Sequence, residues 1–244
     1  MAFKDHFSGH ASAYARYRPD YPKELFEYLA TLTARREVAL DCATGSGQAA
    51  IGLARHYDCV VASDGSVAQL KNAQAHPHVA YVGNLAEQPA LKDHSVDLAA
   101  AAQAAHWFDH ARFHPEMRVL RPDGALAIWT YGVPAIEPSI DAVVMYFYND
   151  VVGPHWPPER RHVESAYRDL PFPWHDVPVP QFQLRLEWTL DDFIGYVSTW
   201  SATQRYTKVS GADPLPSLRA EIAPLWGSNA RPVVWPLHLR VGRP

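Results

Sequence analysis

A chain of 244 residues that is 48% hydrophobic is long and apolar enough for one α/β domain with additions, and is not a disordered chain. Its formal net charge of −4 removes a general electrostatic case for nucleic acid, and the doublets Arg35-Arg36 and Arg160-Arg161 are too short to be basic tracts. No apolar run approaches the ~20 residues that span a bilayer, and Met1 to Asp20 lacks a signal-peptide hydrophobic segment, so a cytoplasmic protein without membrane contact is expected.

Residues 1–22 carry Phe3, Phe7, Tyr14, Tyr17 and Tyr21 among small and polar residues, and the prolines after Arg18 and Tyr21 break any helix begun earlier. The segment reads as an arm packed on the core or as a lid over a ligand. Lys23 to Ala34 follows with Leu25, Phe26, Leu29 and Leu32 at helical spacing. Val38-Ala39-Leu40-Asp41-Cys42 then reads as a buried strand, Ala43-Thr44-Gly45-Ser46-Gly47 as a tight turn, and Ala49 to Tyr57 as a helix.

Such a turn suits a nucleotide-like ligand. Its glycines let the backbone approach closely, and the first helical turn offers unpaired N–H groups and the positive end of a dipole. Gly45-x-Gly47-x-x-Ala50 fits the dinucleotide fingerprint with Asp64 as the ribose acid, so an NAD(P)-dependent oxidoreductase is one reading. Asp41 argues for another ligand: it would set a like charge against a diphosphate but would partner an ammonium group, such as that of S-adenosylmethionine.

The second strand is Cys59 to Asp64, followed by Gly65 and a helix opened by Ser66, with Gln69 at capping-box spacing. An acid ending this strand is placed to hold two ribose hydroxyls. Cys42 and Cys59 fall at opposite ends of neighbouring strands, too far apart for a disulfide, so both are expected as free thiols. His78 to Gly83 reads as the third strand. In Asp97 to Ala105 propensity votes helix, yet the position between Ser95 and Trp107 suits a central strand covered on both faces. His106, His110 and His114 recur at i, i+4, but Pro115 breaks the segment and no cysteine or acid cluster completes a site, so no metal is expected.

Phe113 to Leu120 reads as a short helix, Arg121-Pro122-Asp123-Gly124 as a turn, and Ala125 to Tyr131 as the fifth strand. Residues 133–180 are proline-dense, with a helix expected over Ile140 to Val151 and the remainder as short helices and turns forming a cap. Phe182 to Trp188 alternates as a strand, a helix starts at Thr189 or Leu190 and runs through Trp200, another spans Leu215 to Trp226, and Val233 to Arg240 is the final strand.

The order Asp41-x-Ala43-x-Gly45-x-Gly47 resembles the first motif of class I S-adenosylmethionine-dependent methyltransferases, with Ala43 in place of the first glycine. The Asp97 strand ending in Gln103-Ala104-Ala105-His106-Trp107-Phe108 and the Arg121 to Gly124 turn are similar to the same family. Tyr14 to Pro19, Trp156 to Arg161, and Thr199 to Ala202 with Arg205-Tyr206 resemble its trans-aconitate methyltransferase-like branch, within methyltransferase type 11.

The resemblance implies an α/β fold: a doubly wound, Rossmann-like seven-stranded sheet with an antiparallel last strand, plus a helical cap. Residues 1–35 would be a lid arm and first helix, 36–132 the cofactor core, 133–180 a cap insertion and 181–244 the completion of sheet and cap. S-adenosyl-L-methionine would be the cofactor and S-adenosyl-L-homocysteine the product. It would be held by Arg18, pairing its carboxylate, by Asp41, Ala43, Gly45, Gly47, Asp64 and Gly65, by Leu85 and Ala86 at the adenine edge, and by Gln103. His106 and Trp107 would face the methyl donor, with His106 the one placed candidate for a base.

The implied acceptor is a small carboxylic acid methylated on oxygen, contacted by Tyr14, Tyr131, Arg160, Arg161, Trp200 and Arg205, with the arginines as carboxylate clamps. Nucleic acid and membrane are not expected as partners, and the chain would be a monomer or homodimer. A third reading, a non-catalytic binding protein on a methyltransferase scaffold, is encouraged by Ala43 and Leu85.

Overall fold

The computed structural model describes residues 17–244. Five parallel strands, β1 (Val38–Cys42), β2 (Cys59–Ser63), β3 (Val79–Val82), β4 (Val96–Ala102) and β5 (Leu120–Tyr131), lie in the order β3-β2-β1-β4-β5. Later come β6 (His175–Val177), β7 (Phe182–Trp188) and β8 (Arg231–Arg243). β8 runs antiparallel along β5, and β6 and β7 both pair antiparallel with β8. The sheet therefore has eight strands rather than the seven expected. The addition is β6, three residues too short to show any alternation, and the last strand is antiparallel as the resemblance implied.

Alternation along the strands builds two hydrophobic layers. Ala39, Leu98, Ala100, Ala127 and Trp129 face a larger core shared with Leu25, Leu29, Phe193, Trp226 and Trp235. Leu40, Ala99, Ala101, Leu126 and Ile128 face a second core with Phe113, Met117 and Tyr167. A strand sealed on both faces needs small side chains if both layers are to close on it. This is why alanine-rich β4 is a strand, buried from Val96 through Ala101, despite its helical propensity.

Arg121 to Gly124 is not a free-standing turn. It lies within β5, where the register jumps from Val96↔Leu120 to Leu98↔Ala125. Buried Asp97 pins this irregularity: its Oδ1 pairs with Arg121 Nε at 3.0 Å, and its Oδ2 accepts from Glu37 N and Val38 N, both at 2.9 Å. The preceding helix spans His110–Glu116 and ends in a 3₁₀ turn at Met117–Val119, one turn earlier than expected. His106 lies before it, in a 3₁₀ turn at Ala105–Trp107, so only His110 and His114 share a helical face.

Helices Lys23–Thr31, Leu190–Ser198 and Leu215–Trp226 match their expected positions, the second with a reciprocal cap between Thr189 and Asp192. The expected Ile140 to Val151 helix is α over Pro138–Tyr146 and widens to π over Phe147–Val151. Cys42 and Cys59 are free thiols at opposite ends of β1 and β2. Among the described residues no helix is long and apolar enough to cross a membrane.

Candidate active site

Strand order reverses direction between β1 and β4, and ligands of open α/β sheets bind beyond the carboxyl ends of strands at such a point. A cavity of about 490 Å³ opens there, within the range of small-molecule and cofactor sites. Ala43, Gly45, Asp64 and Gly65 form one wall, Leu85 and Ala86 another, and Gln103, His106 and Trp107 close the far end.

The turn after β1 takes left-handed backbone at Ala43 (φ 53°), Gly45 (φ 58°) and Gly47 (φ 88°). A Cβ on Gly45 would project into open space, whereas one on Gly47 would lie 2.2 Å from the Tyr81 hydroxyl. Gly45 is thus the ligand-facing glycine, and Gly47 permits close packing against β3. Asp64, 8% exposed, accepts from Gly45 N at 2.8 Å through Oδ2 and from Ser66 N at 2.7 Å through Oδ1. The ribose-type acid therefore also fixes the shape of the turn opposite it. Ser66 caps the short helix Val67–Lys71 by accepting from Gln69 N.

Asp41 is fully buried and does not line the cavity. Its Oδ2 accepts from Thr44 Oγ1 at 2.5 Å, while Oδ1 has no hydrogen-bond partner among the described residues. Burial, more than any neighbour, pushes its pKa up to about 7. A buried carboxylate with one oxygen unpartnered is costly unless it holds a proton or meets a positive charge.

At the β4–β5 end Gln103 sits in left-handed backbone (φ 52°), and its side chain is committed to β5. Nε2 donates to Tyr131 O at 2.9 Å, and Oε1 accepts from Tyr131 N at 2.8 Å and Thr130 Oγ1 at 2.7 Å. His106, 9% exposed, packs at a tilt against Trp107 and holds Tyr167 Oη 2.8 Å from its Nδ1. A second recess of about 40 Å³, room for a carboxylate-sized group, adjoins here: Gln103, His106 and Trp107 line both spaces.

The recess is walled by Trp156, Tyr196 and Trp200 and by Arg18 and Arg160. Arg18 donates to Tyr131 Oη at 3.2 Å and Thr199 O at 3.4 Å, with its guanidinium over the Tyr196 ring. Arg160 donates from Nε to Tyr148 Oη at 2.7 Å and lies over the Trp156 ring. Aromatic faces and two held guanidinium groups line the recess, an arrangement that can take a carboxylate.

Several expected site residues lie elsewhere. Arg161 is exposed and Arg205 half-buried, and neither lines either space. On a helix one residue is a rotation of about 100°, so the adjacent Arg160 and Arg161 face apart. Tyr131 is buried and lines neither space, its hydroxyl accepting from Arg18, and Gly47 packs behind the turn. Arg18 borders the recess rather than the larger cavity, so it stands with the acceptor wall instead of the turn. Tyr14 lies outside the described residues.

Sequence reasoning missed Tyr21, Glu87, His110 and His162 on the larger cavity and Tyr196 on the recess. Glu87 is positioned by accepting from Asp109 N at 2.8 Å. Burial, then His114, lowers the His110 pKa to about 4, so this ring stays neutral near pH 7. The helical spacing of His110 to Phe113 was the one available signal for it. Among the described residues no His, Cys, Asp and Glu cluster could hold a metal ion.

Residues 40–128 match the methyltransferase domain family model. The chain is 33% identical over 222 residues to a protein of Dictyostelium discoideum named as a methyltransferase, covering 89% of this chain and 84% of that one. The chain belongs to the class I S-adenosylmethionine-dependent methyltransferases. A solved structure described as a type II methyltransferase from Anaeromyxobacter dehalogenans is 44% identical, with a TM-score of 0.86 over 93% of this chain and 97% of that one. A methyltransferase of Geobacter sulfurreducens solved with S-adenosyl-L-homocysteine shares the fold at TM-score 0.50 and 17% identity, each chain covered fully.

The oxidoreductase and non-catalytic readings therefore fall away, and S-adenosylmethionine is the cofactor. The residues present fit it: Gly45 leaves the open space a ligand needs, Asp64 lines the same cavity, and Leu85 and Ala86 give an apolar wall. Bound there, it supplies an electrophilic methyl group on a sulfonium.

Proposed function

We propose that the protein transfers a methyl group to an oxygen of a small carboxylic acid. The observation that carries this reading is the junction at Gln103, His106 and Trp107, where the turn-lined cavity meets a recess walled by Arg18 and Arg160. The cofactor lies over Ala43, Gly45 and Gly65, with Asp64 on the ribose hydroxyls, Asp41 beneath its ammonium and Leu85 and Ala86 beside the base. The acceptor's carboxylate enters the recess between Arg18 and Arg160, with Trp200 as a wall. Residues 36–132 serve the cofactor, while Arg18, the 133–180 segment and the helices after β7 enclose the acceptor.

Methyl transfer is a direct displacement, so orientation and exclusion of water carry most of the catalysis. Trp107, Trp156 and Trp200 exclude water, and the arginines orient the acceptor. The test is incubation of the protein and S-adenosylmethionine with a panel of small carboxylic acids, reading S-adenosylhomocysteine and the methylated product. Turnover confined to acids and diminished in both Arg18→Met and Arg160→Met supports the reading. Equal turnover on the corresponding amides would overturn it.

A further inference from the structure

Arg160 and Glu164 are four residues apart on the short helix Arg160–Glu164, a spacing at which an opposite pair can close on itself. The Tyr148 phenol stands between them instead. Arg160 Nε lies 2.7 Å from Tyr148 Oη, and Tyr148 Oη lies 2.6 Å from Glu164 Oε1. Both directions are fixed by chemistry, because a guanidinium can only donate and a carboxylate can only accept. The phenol therefore accepts from Arg160 and gives its one proton to Glu164.

Tyr148 is itself held. It belongs to the π segment Phe147–Val151, is buried, and packs its ring against Trp156 and Trp200. Its carbonyl accepts from Trp156 Nε1 at 3.2 Å, and the Arg160 guanidinium lies over the Trp156 ring at 4.6 Å. Arg160 thus commits Nε to Tyr148 and one face to Trp156. What remains for a ligand is the end of the fork: Nη1 and Nη2 have no hydrogen-bond partner among the described residues, and the side chain lines the recess. Arg18, by contrast, turns Nη1 to Tyr131 Oη and Nη2 to Thr199 O.

We infer that Tyr148 and Glu164 are positioning residues for Arg160, turning its guanidinium so that both terminal nitrogens meet one acceptor carboxylate end-on. This rests on the acid reading above and deepens it: Arg160 is the residue that grips the carboxylate, and Arg18 supplies charge from a fixed place on the wall. Two parallel N–H···O contacts fix the plane of the carboxylate as well as its place. A guanidinium free to turn would supply the charge without that orientation.

The first arm of the test needs neither cofactor nor acceptor. ¹H–¹⁵N spectra of the protein record its arginine Nε–H groups, with Arg160→Met assigning the resonance. In the wild type a sharp, slowly exchanging Arg160 Nε–H is expected, because a buried phenol holds its proton. Tyr148→Phe keeps the ring and its packing and removes only the oxygen, so the signal should broaden toward those of freely exchanging arginines. Glu164→Gln retains an acceptor oxygen for the phenol and should preserve it. A wild-type signal that exchanges like an exposed arginine, or one unmoved in Tyr148→Phe, would overturn the positioning role.

The second arm reads KM on an acid that turns over. Tyr148→Phe is expected to raise KM about fivefold, the size of one hydrogen bond, with kcat and S-adenosylhomocysteine affinity within about twofold of wild type. The same change made in Arg160→Met should add less than about twofold, since Tyr148 acts only through Arg160. An equal rise in both backgrounds would mark a merely structural role and overturn the proposal. Turnover on no acid would overturn the acid reading and the end-on carboxylate contact with it, while the first arm still decides whether Tyr148 holds the guanidinium.

Discussion

The two halves of the proposed site are built by different means. The cofactor half is one continuous strand-turn-helix plus the ends of β2 and β3, and its parts are mostly backbone: left-handed Ala43, Gly45 and Gly47 braced by Asp64. The acceptor half is assembled from distant segments. Arg18 reaches Tyr131 and Thr199, His106 reaches Tyr167, and Arg240 reaches back to Tyr167. A local half holds a ligand common to a whole family, and a composite half can change its acceptor without disturbing the first. Variants in the two halves should therefore separate cofactor affinity from acceptor recognition.

The largest effect is expected at Asp64. Asp64→Ala removes the ribose acid and leaves the Gly45 and Ser66 N–H groups without their acceptor, costing about 1–3 kcal/mol of stability. S-adenosylhomocysteine affinity should fall by about a hundredfold, read by calorimetric titration beside thermal denaturation. The mirror change is Arg160→Met, expected to raise KM for the proposed carboxylic acid by about tenfold, roughly 1.4 kcal/mol, with cofactor affinity unchanged within about twofold. Arg161→Ala, on the exposed side of the same short helix, should alter neither.

Asp41 gives a pH signature to the cofactor half. Its folded pKa of about 7 lies above the ordinary 3.8, so the folded state binds the proton more tightly than the unfolded chain. Stability should then fall as pH rises from about 4 to about 7 and level off above. Asp41→Asn is expected to flatten that slope in Tm measured against pH, while weakening cofactor binding through loss of the charge. The smallest effect is at Ala43, an alanine in left-handed backbone: Ala43→Gly should stabilise the protein by about 0.5–1 kcal/mol in denaturant titration, with cofactor affinity retained.

The same division explains what could be read from the residues alone. β1, its turn and Asp64 are legible because strand, small-residue loop and acid are adjacent in the chain. Even the alanine-rich β4 is legible from its neighbours, although its propensity points the other way. In the acceptor half Arg160 and Arg161 are indistinguishable as letters, and only a helix's rotation separates them. Tyr167 carries no local signal, because its position depends on a left-handed turn held by Arg240, 73 residues further along the chain. β6 is too short for alternation, and the Arg121 to Gly124 turn belongs to β5 because Asp97 pins it there.

In the proposed site one cofactor half and one acceptor half meet at His106 yet bind separately. Calorimetric titration of S-adenosylhomocysteine into wild type, Asp64→Ala and Arg160→Met proteins tests it most directly. Saturable wild-type binding that collapses in Asp64→Ala and persists in Arg160→Met is the predicted result. Equal weakening in both variants, or no binding to the wild type, would contradict the account.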